Sequence, residues 1–175
     1  MIQNRKALEF VSEHGDELVR SIFFKAHNLV ADYYEVFWSI LENTKQHKLF
    51  RDQDHAFVSL MTTIVSVHIE LEVQAIYEKY GDDVYLKLGE YVSAYYISFL
   101  KNFTEDEENI AFFLMHNAHE VLLNNEAKDV DVLLALQLKK VSGIDFDFSP
   151  SIFHPIMPAL SEGDSVADII ERHIL

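Results

Sequence analysis

The segment DHAFVSLMTTIVSVHIELEVQAIYEKY, residues 54–80, decides how the chain is read. Phe57, Met61, Ile64, His68, Leu71 and Ala75 recur at alternating steps of four and three. That spacing makes one stripe of an α-helix turned toward a core. His68 is the odd member, a titratable ring in line with apolar side chains. The other helices are expected to pack around this one.

Working outward, a chain of 175 residues suits one domain with a core of its own. Its hydrophobic share of 49% argues against intrinsic disorder. Five glycines and three prolines are too few to punctuate many short strands, so long helices are expected. Cysteine is absent, which removes disulfides and thiolate metal sites and leans toward a reducing, cytoplasmic setting. The first residues are followed by no apolar stretch of the signal-peptide kind. The longest unbroken apolar run, Ile110 to Met115, is far short of a membrane span. Twenty-nine acids against 14 bases give a formal charge of −15, which repels nucleic-acid backbones and anionic membrane surfaces alike.

The sequence predicts a first helix from Asn4 to His14, broken at Gly15, and a second from an Asp16 cap to about Asn43. Leu18, Ile22, Leu29, Tyr33, Phe37 and Ile40 would form the inner face of the second. After the His68 helix, Gly81 provides a left-handed stop. A helix from about Val84 to Asn102 follows, lined by Leu88, Val92, Tyr95 and Phe99. Thr104 and Glu107 form a capping-box pattern ahead of a helix to about Leu123, closed by Asn124 and Asn125. Asp129 or Asp131 opens a shorter helix ending near Val141. Beyond Gly143, Ile144, Phe146 and Phe148 alternate with acids, an extended pattern, and three prolines keep the chain irregular to about Leu160. Asp164 or Ser165 caps a last short helix. The expected fold is thus all-α: six or seven helices in one bundle-like or globin-like domain, residues 1–143. Residues 144–175, an extended segment and a short helix, would dock on it.

The motifs of common enzymes are missing from the sequence. It holds no Gly-rich phosphate loop, no Gly-x-Ser-x-Gly and no His-Glu-x-x-His. The Glu-x-x-His of di-iron bundles is absent too. Two helices do carry His-x-x-x-Glu, His68 with Glu72 and His116 with Glu120, and His119 lies one turn from His116. Facing one another, these five could surround zinc or iron, and His68 or His116 could serve as an axial ligand to haem. Chance spacing among nine histidines and 29 acids is the competing explanation. The many aromatic residues point elsewhere, to irregular packing with an apolar pocket between helices. His68, Tyr95 and Tyr96 would be its polar points. The pairs Tyr33-Tyr34 and Tyr95-Tyr96 also suit an interface, including a homodimer.

ALEFVSEHGDELVR, residues 7–20, resembles the opening of non-haem globin-like sensor domains of bacterial stressosome proteins and sporulation regulators. The resemblance implies a globin-like fold, dimerisation, and an apolar ligand in the place where globins hold haem. With no output domain expected within these 175 residues, a signalling role would run through a protein partner. A non-catalytic regulatory or sensor module binding an apolar small molecule or a protein partner is therefore the leading expectation. The metal- or haem-binding protein is its alternative.

Overall fold

The computed structural model describes residues 2–102, 104–124 and 129–175, with only the backbone of Glu107 and Glu108. The protein is an all-α helical bundle. Among the described residues there are seven α-helices and two 3-10 helices, and no strand. They are α1 (Ile2–Asn43), α2 (Gln53–Tyr80), α3 (Asp82–Leu100), α4 (Glu107–Asn124), α5 (Val130–Ser142), α6 (Met157–Leu160) and α7 (Val166–Ile174). The 3-10 helices are Gln46–Leu49 and Pro150–Ile156.

The break expected at Gly15 does not exist: α1 is one helix of 42 residues. Gly15 is buried, and a Cβ there would collide with the ring of Tyr91 on α3. The residue answers a close approach between helices, which sequence cannot distinguish from a break. Asp16, expected as a cap, is an exposed mid-helix residue whose Oδ2 meets Arg20 Nη2 at 2.9 Å. The buried face of α1 runs through Leu18, Ile22, Ala26, Val30, Tyr33, Phe37 and Leu41. Leu29 and Ile40 are only half-buried beside it.

Helix α2 is the centre of the bundle and packs against α1, α3, α4, α5 and α7. Asp52 caps it, accepting the His55 N–H at 2.8 Å. Every residue from Ser59 to Ile69 is buried, so the middle of the helix is enclosed on all sides. The stripe read from sequence holds through His68 and then turns. Val73, Ile76 and Tyr80 carry the core onward, and Leu71 and Ala75 are half-buried. By length and mean hydropathy, 1.5, α2 could cross a membrane, but 72% of that window is buried inside the protein. Gly81 ends it at φ 85° and ψ −170°, a positive φ with extended ψ rather than the left-handed helical values expected. The core stripe of α3 is Val84, Leu88, Val92, Tyr96 and Leu100. Tyr95 and Phe99, where the sequence put the stripe, are half-buried beside it, one residue before Tyr96 and Leu100.

Thr104 Oγ1 accepts the Asp106 N–H at 3.1 Å. The Glu107 half of that capping box, and Asn125, lie outside what is described. Asp131, inside α5, accepts the Val132 N–H at 2.9 Å. The segment after Gly143 lies on the bundle: Phe148, Ile152, Phe153 and Ile156 are buried, and Phe148 packs on Phe50 with ring centres 6.0 Å apart. Where irregular chain was expected, Pro150–Ile156 winds as a 3-10 helix and runs directly into α6. Ser165 and Asp168 form a full capping box at α7, which packs on α1 and α2.

Candidate functional site

The turn of α2 from Ile64 to Glu72, the start of α5 and the short α6 line a half-open cavity of about 190 Å³. Ile64, Val67, Leu71, Val130, Leu134, Met157 and Leu160 make its walls hydrocarbon. His68, Glu72 and Ser161 are its polar points. The i, i+4 spacing of His68 and Glu72 places both on the cavity side of α2.

The His68 side chain is 10% exposed. Among the described residues neither of its ring nitrogens has a hydrogen-bond partner, and Glu72 Oε1 approaches Nε2 only to 4.0 Å. Burial, with a smaller contribution from the Lys25 ammonium, lowers its pKa to about 4, so the ring is neutral at pH 7. A buried polar group without a partner is uncommon and expensive. Ser161, by contrast, is engaged, its hydroxyl donating to Met157 O at 3.0 Å.

Glu72 is held from the other side. Its Oε2 accepts the Val166 N–H at 2.8 Å, in the first turn of α7, where a carboxylate also meets the positive end of the helix dipole. Burial raises its pKa, the Val166 bond and Lys25 oppose that, and Asp168 adds to it. Lys25, on α1, donates from Nζ to Leu160 O at 2.9 Å and to Glu162 O at 2.6 Å. Residues 157–166 are thus fixed over the cavity at both ends, by Lys25 and by Glu72.

The other sequence candidates lie elsewhere. Tyr95 accepts a hydrogen bond from Arg20 Nε at 2.8 Å on the α1–α3 side. Tyr96 is 1% exposed in the α3 core, against Phe23. Neither lines the cavity at His68. His119 Nδ1 pairs with Glu70 Oε1 at 2.7 Å, and Gln74 Nε2 donates to the same oxygen at 3.0 Å. His116 meets Glu120 at 3.3 Å on the half-exposed side of α4, its ring stacked on Phe112. The two His-x-x-x-Glu motifs therefore stay apart. Among the described residues no group of three or more His, Asp or Glu side chains is arranged to hold a metal.

Sequence reasoning missed Lys25 and Glu70. Lys25 reaches its partners across more than 130 positions of chain, and no local pattern foretells that. Glu70, 12% exposed, carries no local mark among the 29 acids. Larger concavities exist, among them an open groove of about 670 Å³ between the start of α2 and the end of α5. Its one histidine, His55, is already bonded, to the Arg51 N–H at 3.2 Å and to Ser142 O at 3.1 Å. At the smaller cavity the His68 imidazole has no hydrogen-bond partner among the described residues. Comparisons with family models, with curated proteins and with solved structures find no match for this chain.

Proposed function

We propose that the protein is a non-catalytic sensor or regulatory module that binds an apolar small molecule in the cavity at His68. The observation that carries this reading is the unpartnered, nine-tenths buried imidazole on the wall of an otherwise hydrocarbon cavity. A ligand hydrogen-bonded to that ring would relieve the cost. An engineered cavity of about 150 Å³ takes up benzene, so 190 Å³ has room for about eight non-hydrogen atoms.

A porphyrin is several times larger than this space, which favours a small ligand over haem. Apart from His68, Glu72 and Ser161 the walls offer no polar side chain to stabilise a developing charge, which favours binding over catalysis. The resemblance of residues 7–20 to sensor domains that take apolar ligands points the same way. The ligand state would pass to a protein partner, or across a homodimer, through Met157, Leu160 and Ser161, which line the cavity, and the segment that follows them to α7.

The test is thermal unfolding with and without saturating benzene. Ligand that binds only the folded state raises the transition. Wild type should gain several degrees. Leu71→Phe, which fills the cavity, should gain nothing while remaining folded. A wild type indifferent to benzene and to other small hydrocarbons would sink the reading.

A further inference from the structure

From the His68–Glu72 geometry we infer that the ligand is a small neutral alcohol or phenol whose hydroxyl bridges His68 Nε2 and Glu72 Oε1. This rests on the reading above and names the ligand's chemistry.

The two atoms are 4.0 Å apart, too far for a hydrogen bond and too near for each to have an independent partner in that narrow space. An oxygen about 2.8 Å from both subtends nearly a right angle, close to what a hydroxyl accepts. The chemistry of the two sides differs in the required sense. With Oε2 taking the Val166 N–H, the ionised Glu72 presents Oε1 as an acceptor. The neutral imidazole presents an N–H when its proton is on Nε2. One hydroxyl therefore satisfies both, donating to Glu72 and accepting from His68. An ether, with no proton to give, satisfies only His68.

Charge selects in the same direction. A carboxylate ligand would lie against the Glu72 carboxylate with only a neutral ring beside it. An ammonium ligand would meet Glu72 but, being a donor only, could accept nothing from the His68 N–H. A neutral molecule avoids both penalties. Ile64, Val67, Leu71, Leu134 and Met157 then cover its hydrocarbon part. Size limits it to about eight non-hydrogen atoms, the scale of phenol, a cresol or a six-carbon alcohol.

The experiment is calorimetric titration of the full chain at neutral pH with phenol, toluene and benzoate, three probes of similar shape. Phenol should bind, toluene should bind at least roughly tenfold more weakly, and benzoate should not be detected, because a site with buried polar groups rejects the ligand that leaves them unpaired. In His68→Leu the order of phenol and toluene should reverse. Should that variant not fold, the side-chain 15N spectrum of wild type decides. The His68 Nε2 resonance should move on adding phenol and stay in place on adding toluene. Equal affinity for phenol and toluene would overturn the hydroxyl bridge and leave the apolar site standing. So would a His68 resonance unmoved by bound phenol, the mark of a gap filled by water only. Failure of all three probes would overturn the site itself.

Discussion

Gly15 of α1 lies against the aromatic ring of Tyr91 on α3, close enough that a Cβ at Gly15 would occupy the space of the ring. The Tyr91 hydroxyl donates to Ser12 O at 2.9 Å, so the ring is fixed in that place. The contact brings α1 and α3 to their present separation, and both pack on α2.

Gly15→Ala should therefore destabilise the protein. Inside a free helix the exchange would gain about 1 kcal/mol from propensity. Here the ring must leave its hydrogen bond or the helices must separate, at about 1–3 kcal/mol beyond that gain. Urea unfolding of Gly15→Ala, Tyr91→Ala and the double variant measures the coupling. If the double variant is no better than the sum of the two singles, the collision is not the cause.

His68→Leu should be at least as stable as wild type at pH 7. It removes a buried polar group that has no protein partner, where an ordinary buried histidine would leave one behind. The difference should grow in acid. With a folded pKa of about 4 against an ordinary 6.5, the unfolded chain binds the proton first. His68 thus leaves stability whole above pH 6.5 and removes about 3 kcal/mol as pH falls to 4. Glu72 has the opposite sign: its raised pKa favours the folded state in acid, and that contribution fades as pH rises through its folded value. The His68 part is isolated by subtracting the pH–stability curves of variant and wild type. A flat difference between pH 4 and 6.5 would show that the ring is not desolvated.

Lys25→Met should raise the pKa of both His68 and Glu72, because the ammonium lowers each of them. It should also cost about 1–3 kcal/mol, since the carbonyls of Leu160 and Glu162 lose a charged donor. NMR titration of the His68 ring gives the first quantity and chemical denaturation the second. A His68 titration unchanged in the variant would separate Lys25 from the site.

Truncation after Ser142 should remove both stability and the cavity at His68. Phe148, Ile152, Phe153 and Ile156 are buried, each worth about 1.5–3 kcal/mol, and together they rival the whole stability of a typical domain. Met157, Leu160 and Ser161 leave with them and open the cavity. A truncated chain with an unchanged urea midpoint would show that the segment is dispensable.

The helices were legible because periodicity survives wherever one face is buried. It was less exact where burial is not one-sided. From Ser59 to Ile69 nearly every side of α2 is covered, so no stripe marks where the core turns, and Leu71 was read in place of Val73. Gly15 was read as a break because its partner, Tyr91, is 76 positions away and leaves no local trace. The same limit applies at the site. His68 stood out in its stripe, and its i, i+4 spacing drew in Glu72. Nothing local could reveal that Lys25 and Val166 converge on the pair, or that His116 and His119 face away from it. Adjacency on one helix is written in the sequence. Adjacency between helices arises from packing.

The central claim is that a small apolar molecule occupies the cavity at His68, and methyl NMR tests it most directly. Phenol is titrated into protein labelled at the methyl groups of Ile, Leu, Val and Met. Saturable shifts should be confined to the wall residues Ile64, Val67, Leu71, Val130, Leu134, Met157 and Leu160, with the His68 ring protons moving in step. Shifts scattered over the surface, or a cavity whose methyl signals stay fixed at saturating phenol, would contradict it.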